Sequence, residues 1–316
     1  MSTQVLHPTI AAKAVKAPAE AHQLIAEKKV SLNRIMVMTD FSEASDLALD
    51  YALSLARRYD SRIYLTHVLT QDAYQMAEPA LAEMTYQRMR QAAEQSIADI
   101  LVSGKLRGVP HEVLLSEGYL WPTVEQLIRE QEIDLVVTGT HGRGEFKKVV
   151  LGSVAEEVFR QAGVPVLTVG PEARKRAPQE LDLSDVLFAT DFGPGAARAG
   201  QYAFSLAQEH GARLTVLHVV GEGVAYTREG EERIRKLHIA GMKQFLPQGA
   251  EDWCKVDFRV SFGAPVEEIL NEARDTGADL IVMGAKARKA LAGHRPWSIA
   301  YNVVTRAKCP VLSVRG

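Results

Sequence analysis

Gly139, Gly142, Gly152 and Ser153 fall in the stretch LVVTGTHGRGEFKKVVLGSVAEEVFRQAGVPVLTV, Leu135 to Val169, at a spacing that suits the grip of a polyanion. The stretch reads as a buried strand (Leu135–Thr138), a glycine-bearing loop, a helix opening at Gly152–Ser153 and a second strand (Val164–Val169). Glycines at a strand exit let the backbone turn sharply and bring bare N–H groups close to a ligand. A Gly-Ser pair at a helix start adds unpaired amides, a hydroxyl and the positive end of the helix dipole. Together these make a phosphate cradle. Arg143, Lys147, Lys148 and His141 lie in the same loop and could approach the phosphates, although a basic loop is more often simply solvated. A lone GxxG serves a tight turn just as readily, and Ser153 a helix cap.

Other chemistries find little support. There is no GxSxG elbow, and no Cys/His arrangement for nucleophilic catalysis. The loop lacks the lysine of a P-loop. Gly142-Arg143-Gly144 is not a dinucleotide fingerprint, because Lys147 takes the last glycine's place and the loop follows a late strand. His67 and His218 have no HxxxH or cysteine neighbour and read as satisfied strand-end histidines. Cys254 and Cys309 are too few for a disulfide framework; both read as reduced thiols, with Cys309 expected inside a buried strand. A single carboxylate, Asp40, is thin support for hydrolysis.

The elements that must position the cradle come next. The chain has 316 residues, 47% of them apolar and 24% charged, which fits two globular domains. A net charge of −2 gives no electrostatic case for nucleic acid or an anionic membrane. No apolar run approaches the roughly 20 residues of a membrane span. Residues 1–31, with Pro8 and Pro18, read as an arm carrying at most a short helix near Ala19–Lys29, without a secretory signal, so cytoplasm is the default compartment. Strands are expected at Leu32–Thr39, Arg62–Leu69 and His111–Leu115. Helices are expected at Ala44–Arg58, Pro79–Leu106 and Thr123–Gln131. This alternation predicts an α/β fold with a mainly parallel sheet covered on both faces.

The second half repeats the first. Thr39-Asp40-Phe41 returns as Thr190-Asp191-Phe192 and His67-Val68 as His218-Val219, all at an offset of 151. Later landmarks, Gly139 with Gly284 and Pro165 with Pro310, share an offset of 145, so the second copy has a shorter segment between its second and third strands. The expected divisions are an arm at 1–31, a domain at 32–170, a Pro- and charge-rich linker at 171–183 and a second domain at 184–316. The cluster Arg174-Lys175-Arg176 reads as solvated linker.

Gly-x2-Gly-x9-Gly-Ser, followed by the Val-Pro-Val-Leu-x-Val strand, resembles the ATP-binding signature of the universal stress protein family. The resemblance covers about Asn33–Gly170 and Asp185–Gly316, which identifies the chain as a tandem member. It implies two five-stranded parallel-sheet domains, Rossmann-like and similar to the adenine-nucleotide α-hydrolase fold. It also implies a nucleotide outside the carboxyl ends of the strands. Carried over residue by residue, Thr39 and Asp40 match the positions near the adenosine, and Val68 the backbone position at the adenine edge. Gly139, Gly142, Gly152 and Ser153 match the ribose and phosphate elements, with Arg143 beside them. The implied ligand is ATP, with or without magnesium.

The second copy departs from the signature. Ala287 stands for Gly142 and Trp297 for Gly152, while Asp191, Val219 and Gly284 are kept. An indole at that helix start would fill the phosphate's place, so this half is expected not to hold ATP in the family's manner. Its basic loop (Lys286, Arg288, Lys289, His294, Arg295) leaves room for another anion. The resemblance further implies that the last strands, Val164–Val169 and Cys309–Val314, pair as an internal pseudo-dimer, with further self-association and a regulatory protein partner left open. The functional expectation is an ATP-binding stress-response regulator. The rivals are a slow ATPase or phosphotransferase using Asp40, and an interaction scaffold that binds no nucleotide.

Overall fold

The computed structural model describes residues 30–71, 78–140, 151–173, 182–221, 227–244, 254–285 and 299–316. The first half runs β1 (Arg34–Met38), α1 (Glu43–Tyr59), β2 (Arg62–Thr70), α2 (Pro79–Val102), β3 (His111–Gly118), α3 (Leu120–Glu130), β4 (Leu135–Gly139), α4 (Ser153–Gln161) and β5 (Val166–Val169). The second repeats it as β6 (Asp185–Ala189), α5 (Pro194–His210), β7 (Arg213–Val220), α6 (Arg228–Lys243), β8 (Val256–Phe262), α7 (Pro265–Thr276), β9 (Leu280–Ala285), α8 (Ile299–Arg306) and β10 (Val311–Arg315). Helix α6 is eight residues shorter than α2, 16 against 24, which more than covers the six-residue fall in the repeat offset from 151 to 145.

All ten strands form one sheet, in the order β3-β2-β1-β4-β5-β10-β9-β6-β7-β8. Pairing is parallel within each half, as apolar strands covered on both faces require. The halves join where β5 meets β10 antiparallel, the pairing expected of the last strands. Leu167 stands opposite Leu312, its own repeat counterpart, so a local two-fold axis passes between them. The same axis brings the ends of α1 and α5 together. There Arg58 Nη2 donates to the Glu209 carbonyl at 2.6 Å, and the Tyr59 hydroxyl lies 3.4 Å from His210 Nε2, again between counterparts.

Several boundaries differ from the sequence expectation, each for a local reason. β3 continues past Leu115 because Ser116, Glu117 and Gly118 stay in register with Val68, Leu69 and Thr70. α3 starts at Leu120, with Pro122 in its first turn, where a missing N–H breaks no helical bond. α2 stops at Val102, short of Leu106, in a chain that then turns through Gly104 and Gly108, both at φ 76°. Cys309 is buried but precedes β10 rather than lying inside it. The arm and linker are anchored at their described ends. Val30 N–H donates to Ser205 Oγ of the other half at 3.1 Å, and Leu32, Ala173 and Leu183 are core residues.

Gly139 corrects a sequence reading. It is the last residue of β4, in register with Val169, and not part of a turn. A Cβ there would stand 2.6 Å from the backbone carbon and oxygen of Ala44 at the start of α1. The glycine is therefore demanded by the approach of α1 to β4. Gly284 makes the same approach to Gly195 with more room, 3.1 Å. Gly139→Ala is expected to lower unfolding stability by about 1–3 kcal/mol, the usual cost of forcing an extra carbon into a packed site. Gly284→Ala is expected to cost clearly less in the same urea titration, and equal losses would contradict this account.

Candidate functional site

The site begins at the corner after β1, which the second half reproduces bond for bond. Phe41 has φ 62° and Phe192 φ 57°, in the left-handed region, which costs a non-glycine residue roughly 1–2 kcal/mol. Surrounding groups hold the strain. Thr39 Oγ1 accepts the Phe41 N–H at 3.0 Å and Thr190 Oγ1 the Phe192 N–H at 3.2 Å. Asp40 Oδ1 accepts the Ser42 N–H at 3.1 Å, and Asp191 Oδ1 the Gly193 N–H at 2.8 Å. Each phenylalanine ring lies 4.7 Å from a histidine ring, His67 or His218. The histidines donate through Nδ1 to the carbonyls of Thr39 (2.7 Å) and Thr190 (2.8 Å). They serve as strand-end props, as their sequence context implied. One oxygen of Asp40 is thus used to fix the backbone, and the residue lines the hollow described below.

Helix α1 then starts at the Ser42 cap, whose Oγ accepts the Ser45 N–H at 3.2 Å. Ser45 Oγ in turn lies 3.2 Å from Thr39 Oγ1. Across from this corner, Gly152 caps α4 without a side-chain cap hydrogen bond. The Gly152 N–H is held by the Thr140 carbonyl at 2.7 Å, which ties the helix start to the end of β4. The positive end of the α4 dipole therefore opens toward the corner.

These parts enclose a hollow of about 70 Å³ that Thr39, Asp40, Gly139, Gly152 and Ser153 all line. Five of the sequence-predicted residues are thus brought together. Val68 is not among them. It is buried in β2 beside Ser116, two residues past the last β1–β2 pair, Met38 with Thr66. Gly142 and Arg143, with His141, Lys147 and Lys148, lie outside the described residues. Sequence reasoning missed Ser45, Thr138 and Val154 as lining residues. Ser45 was signalled by the Ser-x-x-Ser spacing after Asp40-Phe41. The hollow is smaller than the roughly 300 Å³ at which small-molecule pockets begin, so it matches the phosphate end of a site and not a whole nucleotide.

The corresponding hollow of the second half is larger, about 340 Å³, and is lined by Thr190, Asp191, His218, Gly284, Ile299 and Arg315 among others. Ala287, Trp297, Ser298 and the basic loop lie outside the described residues. His218 is held below its usual pKa, first by burial and also by the His238 ring stacked on it at 4.6 Å; the Thr190 carbonyl and Asp191 oppose the shift. The unfolded chain then binds that proton more readily than the folded one. Stability should fall as pH drops through about 6.5 toward the folded value. His218→Gln is expected to flatten the difference between urea midpoints at about pH 7.5 and about pH 5.5. An unchanged difference would assign the effect to other groups.

In each half the strand order reverses between the first and fourth strands (β1 and β4, β6 and β9), and both hollows lie at that reversal. This is a tandem doubly wound α/β protein with a hollow at each of its topological switch points. The universal stress protein family model matches residues 31–170 and again 183–315. The chain belongs to the universal stress protein family, as a tandem member. It is similar to a universal stress protein of Mycolicibacterium smegmatis, 29% identical over 298 residues, covering 89% of this chain and 96% of that relative. Universal stress protein YxiE of Bacillus subtilis is 29% identical over 144 residues, covering 41% of this chain and 97% of the relative. In fold the chain resembles the crystal structure of a universal stress protein from Archaeoglobus fulgidus, with a TM-score of 0.64 at 22% identity, covering 90% and 98% of the two chains. Among the described residues no helix is long and apolar enough to cross a membrane.

Proposed function

We propose that the protein is an ATP-binding regulator in stress response, with the nucleotide held by the first half. The observation that carries this reading is the convergence of Thr39, Asp40, Gly139, Gly152 and Ser153 on one hollow at the start of α4, whose Gly152 cap makes no side-chain hydrogen bond. Charge-assisted bonds from backbone amides to a phosphate are worth about 1.5–3 kcal/mol each, and the helix dipole adds to them. The remaining oxygen of Asp40 suits a ligand hydroxyl, and Val68 lies farther along the same sheet end, where the base would extend. Gly142 and Arg143 complete the proposed phosphate contacts. The hollow has to widen on binding, a local change of the kind regulatory proteins use.

Asp40 is the one carboxylate lining the hollow, and no cluster of three metal-ligating side chains occurs among the described residues. The first half fits a magnesium ion that arrives with the phosphates better than one resident in the protein. The second half acts as the permanent partner across β5 and β10, and its substitutions Ala287 and Trp297 fit a half that does not hold ATP. Heat release of small molecules from the purified protein, identified by mass, tests the reading. An adenine nucleotide at up to one per chain is expected. A ligand-free protein that also fails to take up ATP would leave the scaffold reading.

A further inference from the structure

The second hollow is lined by a buried cation that no carboxylate among the described residues pairs with. Arg315, at the end of β10, stands where the first half has Gly170. Its side chain is 9% exposed and lines the hollow. Nη2 donates to the Phe159 carbonyl at 2.5 Å, an acceptor in the last turn of α4. That is the side chain's one hydrogen bond among the described residues, and no carboxylate pairs with it. Burial alone moves its pKa, downward, with no acidic neighbour raising it. A guanidinium has five N–H donors and stays charged in proteins, so most of its capacity is unspent. A helix-end carbonyl is only a partial counter-charge, and an arriving anion would offset the rest of the cost of burying the guanidinium.

The shape of the hollow narrows the choice of anion. Leu217, Val219, Ile269, Met283 and Ile299 give it an apolar wall. β9 lies between β10 and β6, so Asp191 is two strand spacings, about 10 Å, from Arg315. One guanidinium balances one negative charge. Arg315 is the one Arg or Lys among the described lining residues, so a second negative charge would find no partner among them and would face Asp191. We infer that the second hollow binds a small organic monoanion with an apolar body, a carboxylate and not a polyphosphate, clasped by Arg315. The inference is independent of ATP binding in the first half.

Calorimetric titration of the full chain with octanoate, hydrocinnamate and octan-1-ol, with and without millimolar ATP, tests it. Saturable binding of at least one of the two carboxylates is expected, about tenfold or more tighter than the alcohol and indifferent to ATP. Arg315→Gln should weaken the carboxylate about tenfold or more and leave the alcohol unchanged. If that variant does not fold, Ile299 decides, since it is 43% exposed at the edge of the hollow. Ile299→Asp should weaken the carboxylate, and Ile299→Lys should not. The proposal is overturned if neither carboxylate binds at millimolar concentration, if the alcohol binds as tightly, if ATP displaces the carboxylate, or if binding ignores the charge at both positions. Failure of ATP to bind anywhere would leave these results intact and count against the first-half reading alone.

Discussion

Gly152→Trp is expected to erase the stabilisation that ATP gives the protein. A ligand at a hundred times its Kd stabilises a folded chain by about 2.7 kcal/mol, and the variant should lose essentially all of that. Gly152 lines the 70 Å³ hollow and begins α4, so an indole at that position takes the room a phosphate needs. Its φ of −59° and ψ of 152° are open to any residue, so the variant can fold. The second half carries Trp297 at the matching position of its own sequence. Urea unfolding of both proteins with and without ATP gives the readout. A shift that survives in the variant would place the nucleotide elsewhere.

Leu312→Asp is expected to cost more than about 4 kcal/mol, enough to unfold much of the protein under ordinary conditions. Leu312 and Leu167 face each other at the two-fold axis, 3% and 5% exposed. Side chains alternate across a strand, so the nearby Ser313 and Thr168 hydroxyls lie on the opposite face and cannot solvate a carboxylate at 312. Those two hydroxyls, counterparts at the repeat offset, are themselves buried without a hydrogen-bond partner. The β5–β10 strand pair is therefore already poor in polar partners. Leu312→Met, which keeps the volume, should cost under about 1.5 kcal/mol. Similar urea midpoints for the two variants would mean that the seam is not part of the shared core.

Much of this was legible in the chain itself. Short apolar runs such as Arg34–Met38 and Leu135–Gly139 pattern as buried parallel strands, and the paired offsets of Asp40 with Asp191 and Pro165 with Pro310 expose the repeat. The convergence of Thr39, Asp40, Gly139, Gly152 and Ser153 on one hollow was legible too, because they sit at strand ends and a helix start, places set by local chemistry. What stayed hidden depended on partners distant in sequence. Gly139 signals that room is needed but not that Ala44 needs it. The left-handed Phe41 leaves no trace in composition; only the repeated Thr-Asp-Phe with a matching histidine hints that the corner is built. Nothing in the sequence singles out Arg315; its bond to the Phe159 carbonyl of the other half appears only once β5 and β10 are paired.

The central claim is that main-chain groups at the start of α4 grip the phosphates of one adenine nucleotide per chain. Calorimetric titration of the intact protein with ATP tests it most directly. The expected result is a single set of sites with a stoichiometry of one per chain. No heat at millimolar ATP from a protein shown to be folded, or two equivalent sites, would contradict it.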